Sequence, residues 1–222
     1  LKAVAVDIDG TITDTARKLC PEALKAIRML ESRGIPVILA TGNILCYARA
    51  ASVLIGTSGG IVAENGGVIY ADEEVRVLGN IQKALDAYGH LRRLYPVRKV
   101  QFSELRVSEV ALTREVPEEA IKEALRDFDV EVYDTGFAIH LTDPAVSKGS
   151  GLEMVAASMG LDASRIMAIG DSENDIEFLE AAGLKVAVAN ADPELREVAD
   201  YVTAAPYGDG VAEAIHKFIL KG

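Results

Sequence analysis

Two carboxylates stand one residue apart in Asp7-Ile8-Asp9-Gly10-Thr11, and three more acids crowd into Gly170-Asp171-Ser172-Glu173-Asn174-Asp175. Thr41-Gly42-Asn43 and Ser147-Lys148-Gly149 add hydroxyls, backbone amides and one cation. Carboxylates gathered about 5 Å apart repel by roughly 3 kcal/mol at an effective dielectric of about 20, so such a group needs a counter-charge. Oxygen donors without His or Cys at metal spacing favour Mg²⁺ over zinc, and Mg²⁺ completes its shell with waters and substrate phosphate. Thr41, with the amides of Gly42 and Asn43 at the start of a helix, makes an anion site, and Lys148 adds a point charge. These residue types predict a centre for a divalent metal together with a phosphate group.

The four stretches are far apart in the chain, and strand ends are what must bring them together. Ala3 to Ile8 is a nearly continuous apolar run, the pattern of a parallel strand buried on both faces, and it ends in acids. A helix from Pro21 to Arg33 with Ala23, Leu24, Ile27 and Leu30 at helical spacing, stopped by Gly34, leads to a second buried strand at Val37 to Ala40. Ile61 to Ala63 follows as a third strand, then a hairpin of Val68 to Tyr70 and Val75 to Leu78. Beyond Gly79 helix and strand signals change order, and from Ser147 they alternate again through Ile166 to Ile169 and Lys185 to Val188. The pattern predicts an α/β fold: a Rossmann-like, doubly wound parallel sheet core formed by residues 1–79 and 147–222, interrupted by a smaller α+β cap over 80–146. In such a sheet ligands bind beyond the carboxyl ends of the strands, where all four stretches fall.

Two rival readings of the same residues fail on spacing or context. A calcium loop counted from Asp7 would need Gly at Ile12 and Glu at Lys18; counted from Asp171 the mismatches are Ile176 and Ala182. Gly56-Thr57-Ser58-Gly59-Gly60 matches a hydrolase nucleophile pattern, but a helix precedes it and a strand follows, the reverse of the required context. Composition narrows the field further. With 34 acidic against 23 basic residues, a net charge of −11, the chain lacks the cationic footprint of a nucleic-acid partner. No apolar run approaches the roughly 18 to 20 residues that span a bilayer, and no basic-then-apolar leader pattern is seen, so the expectation is a cytoplasmic protein. Cys20 and Cys46 are too few for a disulfide framework and are expected to be small buried hydrophobes.

The order of the four stretches resembles the haloacid dehalogenase-like superfamily of phosphatases, in the form whose cap is inserted between the second and third motifs. Asp7-Ile8-Asp9-Gly10-Thr11 resembles the first motif, Thr41 the second, Lys148 the third and Gly170 to Asp175 the fourth; Glu64-Asn65-Gly66-Gly67 is also similar to these enzymes. The resemblance implies that Asp7 attacks phosphorus to form an aspartyl-phosphate and that Asp9 serves as general acid and then base while its backbone carbonyl ligates Mg²⁺. It implies further that Asp7 and Asp171 bind the metal through their carboxylates, that Asp175 is a further ligand or an anchor, and that Thr41, Gly42, Asn43 and Lys148 hold the phosphoryl group. Many relatives carry Arg where Asn43 stands. That substitution, the small cap and the strand Gly136-Phe137-Ala138-Ile139-His140 resemble the archaeal phosphoglycolate phosphatases within the superfamily.

The expected substrate is therefore a small phosphorylated metabolite, 2-phosphoglycolate before hexose phosphates or nucleotides. A sugar-phosphate phosphatase, a phosphomutase and a non-catalytic phosphate-binding module are the alternatives. His140, out of phase with Phe137, Ile139 and Leu141, is expected on the cap surface or in the cleft. The basic stretch of Arg92, Arg93, Arg98, Lys99 and Arg106 is expected to form a solvated face, the commoner fate of a charge run, although it could attract an anionic substrate.

Overall fold

The computed structural model describes residues 1–220. In chain order its strands are β1 (Ala3–Asp7), β2 (Val37–Ala40), β3 (Ile61–Ala63), β4 (Val68–Ala71), β5 (Glu74–Val77), β6 (Val110–Leu112), β7 (Glu131–Asp134), β8 (Ile139–Thr142), β9 (Ile166–Gly170), β10 (Leu184–Ala187) and β11 (Tyr201–Val202). The helices are α1 (Pro21–Ser32), α2 (Leu45–Ile55), α3 (Ile81–Leu94), α4 (Glu118–Ala124), α5 (Lys148–Ser158), α6 (Ile176–Glu180), α7 (Pro193–Val198) and α8 (Tyr207–Ile215).

Eight strands form one sheet in the order β11-β10-β9-β1-β2-β3-β4-β5, parallel from β11 to β3, with the β4–β5 hairpin added antiparallel at the edge. The fold is the doubly wound α/β core that the alternation of elements predicts. All five residues of β1 are buried because helices cover both faces of the sheet. Val4 and Val6 pack toward Ala23, Ile27 and Leu30 of α1 and Val211 and Ile215 of α8. Ala3 and Ala5 pack the other way, toward Leu152 and Val155 of α5 and Phe178 of α6. Asp7 continues the Ala3, Ala5 series, so the two-residue period of a strand aims it at the α5 side. The chain leaves β1 for β2 on one flank, and β9 pairs on the other, which makes the end of β1 the switch point of the sheet. Asp7 lies opposite Ala40 and Val6 opposite Ile169, so Thr41 and the Gly170–Asp171 turn emerge beside it.

Between β5 and α5 the chain builds a separate antiparallel sheet in the order β6-β8-β7. It has its own apolar cluster, with Ala84, Ala87 and Leu91 of α3 and Ile121 of α4 against Val110, Leu112, Val132, Ile139 and Leu141 of the sheet. No helix among the described residues is long and apolar enough to cross a membrane.

Several boundaries differ from those the periodicity suggests. The apolar spacing from Pro117 to Phe128 predicts a helix over that stretch, and the helix formed is shorter, ending at Ala124. The stretch from Asn174 to Ala181, whose pattern predicts one helix, forms a 3-10 turn over Glu173–Asp175 followed by the short α6, because the Asp175 side chain folds back onto the backbone amides of Asp171 and Ser172. Cys20 is only half-buried and Cys46 is exposed, correcting the expectation that both are core residues. The buried face of α2 is Ala48, Ser52 and Ile55, one stripe at helical spacing, and Cys46 falls off it.

Candidate active site

Asp7 is 3% exposed, and a buried carboxylate needs a partner. It finds one in Lys148, whose Nζ donates to Asp7 Oδ1 at 2.7 Å and to Asp175 Oδ1 at 2.6 Å. Lys148 sits at the first turn of α5, placed there by a capping box in which Ser147 Oγ accepts from the Ser150 amide and Ser150 Oγ from the Ser147 amide. Asp175 is fully buried, and its Oδ2 accepts from the amides of Asp171 and Ser172 at 3.0 and 3.2 Å. Both of its oxygens are thus engaged in holding Lys148 and the turn after β9. Asp171 Oδ1 accepts from the Thr11 hydroxyl at 2.5 Å.

Asp7, Asp171 and Asp175 each bring a carboxylate oxygen within 4.8 Å of the others, an arrangement able to hold a metal ion. The electrostatics agree. Burial raises the Asp7 carboxyl well above its usual range, against the pull of Lys148, and Asp175 and Asp171 add repulsion. Asp171 is pushed up to about 7, first by burial and then by Asp175. Burial would lower the Lys148 ammonium, but Asp175 and Asp7 outweigh it and its pKa is raised, so it stays charged. One buried ammonium among three carboxylates leaves excess negative charge, and an all-oxygen donor set of this kind suits a hard divalent cation.

The turn after β1 aims Asp9. Gly10 has φ 95°, in the left-handed region, and a Cβ there would lie 2.3 Å from Asp171 Oδ2, so no other residue fits between the two acidic turns. The Asp9 side chain points away from the carboxylate cluster. Its Oδ1 accepts from Arg17 Nε at 2.8 Å, and its Oδ2 from Asn43 Nδ2 at 3.0 Å and Thr41 Oγ1 at 3.3 Å. The Asn43 amide does not point outward as expected but donates to Thr41 Oγ1 at 2.9 Å, since α2 begins only at Leu45. Asn43 therefore lines the cavity beside Asp9, with Gly42 next to it and Thr41 buried beneath.

A cavity of about 510 Å³ opens over this floor, lined by Asp7, Asp9, Asn43 and Lys148 from the sheet side and by Phe102, Arg106, Phe137 and His140 from the other. That volume is ample for a small metabolite and larger than a two-carbon ester requires, so size alone does not select the substrate. The sequence assigns no role to several residues here, although it places His140 at the cap surface or in the cleft, where it is found. Asn65, in the left-handed region at φ 53°, donates from Nδ2 to Glu109 Oε2 at 2.8 Å and accepts at Oδ1 from Asn174 Nδ2 at 2.8 Å, tying three segments together. Glu64 accepts from the amides of Val107 and Ser108 and from the Ser108 hydroxyl, clamping the loop before β6 onto the end of β3. His140 is buried in the cleft and its Nδ1 lies 2.8 Å from Glu109 Oε1. Of the basic stretch, Arg92, Arg93 and Arg98 are exposed and Lys99 half-buried, but Arg106 is buried against Glu109 and its Nη1 donates to the Gly42 carbonyl at 2.8 Å. The expectation of a solvated face holds for the three exposed arginines and fails for Arg106.

The family model for haloacid dehalogenase-like hydrolases matches residues 4–87 and 96–215. The chain belongs to the haloacid dehalogenase-like hydrolases. It is 68% identical over 219 residues to a phosphoglycolate phosphatase of Methanothermobacter thermautotrophicus, covering 99% of each chain. It is 44% identical over 232 residues to a phosphoglycolate phosphatase of Methanobrevibacter smithii, again covering 99% of each. Among solved structures, Thermoplasma acidophilum 0175 superposes with a TM-score of 0.91 at 23% identity over 99% of both chains. A phosphatase of the haloalkanoate superfamily from Bacteroides thetaiotaomicron gives 0.81 at 22% identity, covering 98% of this chain and 95% of that one. These structural likenesses establish the fold.

Proposed function

We propose that this member of the family is a Mg²⁺-dependent phosphomonoesterase that hydrolyses 2-phosphoglycolate to glycolate and phosphate through an aspartyl-phosphate on Asp7. The observation that carries the chemistry is Asp7 itself: a carboxylate at the end of a buried strand, with one oxygen held by Lys148 and the other accepting no hydrogen bond among the described residues, facing a cavity shared with Asp9. The substrate rests on the full-length relatives, which carry that activity in their names.

In this reading an Asp7 oxygen attacks phosphorus and the bond from phosphorus to the ester oxygen breaks. Asp9, as the neutral acid, gives its proton to the departing glycolate oxygen. Water then passes a proton to Asp9 and attacks phosphorus, breaking the bond to Asp7 and releasing phosphate. Mg²⁺, when bound, offsets the charge of the carboxylates and the phosphoryl oxygens, which could not otherwise approach one another. Asp7 and Asp171 would hold it through their carboxylates and Asp9 through its backbone carbonyl. Asp175, with both oxygens engaged, positions Lys148 and the Asp171 turn. Lys148, Gly42 and the Asn43 side chain hold the phosphoryl oxygens, Thr41 fixes the turn that carries them, and residues 80–146 act as a cap that limits water at the reacting centre. Phosphate release from a panel of small esters, with and without Mg²⁺, is the test. Release that requires the metal and is fastest with 2-phosphoglycolate supports the reading; isomerised ester in place of phosphate, or a tenfold preference for a hexose phosphate, contradicts it.

A further inference from the structure

We propose that Arg106 is the specificity residue that reads the carboxylate of the leaving group, and that Glu109 is its positioning residue. The proposal rests on the phosphoglycolate reading above and names the group within the cavity that would enforce it.

Arg106 follows the 3-10 turn Ser103–Leu105 and lines the same cavity as Asp7, Asp9 and Lys148. Its side chain is 6% exposed. Nη1 is engaged twice, with Glu109 Oε1 and with the Gly42 carbonyl. Nε and Nη2 have no hydrogen-bond partner among the described residues, yet neither is sealed from open space. Donors on a charged group this deeply buried are costly to leave unmatched, and the space they reach is the cavity. Nε with one Nη forms the planar fork that takes a carboxylate through two parallel hydrogen bonds.

The fork is held rigidly. Glu109 is 1% exposed and accepts from Arg106, from His140 and from Asn65 Nδ2. Burial would raise its carboxyl, but His140 and Arg106 outweigh this and lower it, so Glu109 remains an ionised anchor. The contact of Arg106 with Gly42 places the guanidinium over the loop that carries Thr41 and Asn43. A phosphoryl group at Asp7 and the leaving group it carries would occupy the cavity that Arg106 lines. The other cations differ. Lys148 is engaged by Asp7 and Asp175, and Arg17 is 41% exposed, bound to Asp9, and stacked near the rings of Tyr47 and Phe137. A hexose or a nucleoside offers no carboxylate to the fork and would leave it unpaired, the situation in which a polar site rejects a ligand most strongly.

The test compares kcat/KM for 2-phosphoglycolate with that for its neutral amide and for ethyl phosphate. The wild type is expected to favour the carboxylate by about 10- to 150-fold, the range for a hydrogen-bonded charged group. Arg106→Lys, which keeps the buried charge but loses the fork, is expected to remove most of that ratio by losing far more activity on the carboxylate than on ethyl phosphate. Glu109→Gln is expected to raise KM for 2-phosphoglycolate by a larger factor than KM for ethyl phosphate, a split that general loosening of the fold would not give. Three results overturn the proposal: a wild-type preference below threefold, an Arg106→Lys enzyme that keeps the wild-type ratio, or a ratio that collapses in Arg17→Met instead. If the wild type prefers 2-phosphoglycolate and Arg106→Lys keeps that preference, only this assignment fails. If the wild type releases phosphate fastest from an uncharged ester, the substrate reading fails with it.

Discussion

Replacing Lys148 with Met removes one ammonium from a site where it is 2% exposed and bound to two carboxylates that are themselves 4% and 0% exposed at the side chain. Met fills a similar volume, so the loss is electrostatic. Taking one partner from a buried ion pair costs about 3–5 kcal/mol because the remaining charge stays buried and uncompensated. For a chain of this size each kcal/mol moves Tm by about 2–4 °C, so Lys148→Met is expected to melt about 6–20 °C below wild type in EDTA at pH 8. The penalty depends on pH with a definite sign. Asp7 and Asp171 already sit above their ordinary range, and loss of the ammonium raises them further. Carboxyls whose folded pKa exceeds the unfolded value carry their full destabilisation above the folded pKa and lose it progressively as pH falls from there toward the unfolded value, so the gap to wild type should narrow as pH falls from 8 to 5.5. Calorimetric melts of both proteins across that range measure it. A gap below about 2 °C at pH 8, or one that widens on acidification, would refute the account of Lys148 as the buried counter-charge of Asp7 and Asp175.

Other perturbations test separate parts of the site. Asp7→Asn should abolish turnover while leaving the melt near that of wild type, since an amide is a poor nucleophile of nearly the same shape; activity above a few per cent of wild type counts against the nucleophile assignment. EDTA should remove activity without unfolding the chain, and added Mg²⁺ should restore it and raise Tm with concentration, as expected of an ion that binds only the native state; full turnover in metal-free buffer contradicts this. Gly10→Ala should lose about 1–3 kcal/mol from its backbone conformation alone, and because its Cβ would strike Asp171 it should also weaken Mg²⁺ binding in a titration. A variant with wild-type melting and wild-type metal affinity would show that the two acidic turns do not need their close approach.

The floor of the site was legible because it violates local rules. Asp7 is a carboxylate inside an apolar strand, and Asp171 follows a run as apolar as Ile166 to Ile169, so each asks for a partner that the neighbouring sequence lacks. Lys148 was legible from its place in an ordered set of motifs, while its residue type alone would suit any solvated helix end. The roof was not legible. Arg106 lies among exposed charges, and nothing in its neighbourhood marks it as the one that turns inward. Its burial follows from Glu109, His140 and Asn65 converging from three segments, a juxtaposition that pattern and periodicity do not encode. Asn65 was within a stretch noted for its resemblance, but its part as the link between Glu109 and Asn174 depends on a left-handed backbone that Asn tolerates and no periodicity signals. The exposure of Cys46 has a related cause: an apolar residue on a short helix is core only if it falls on the buried stripe, and α2 buries a narrow one.

The central claim is that phosphate passes through Asp7. Acid quenching within the first turnover of 2-phosphoglycolate, followed by borohydride reduction, converts an acyl phosphate on an aspartate into homoserine, which peptide mass spectrometry locates. Homoserine at position 7 that requires both substrate and Mg²⁺ and disappears as substrate is exhausted is the predicted result. Phosphate release at the wild-type rate with no reducible acyl phosphate at Asp7 during the first turnover, or with the label at Asp9 or Asp171 instead, would contradict it.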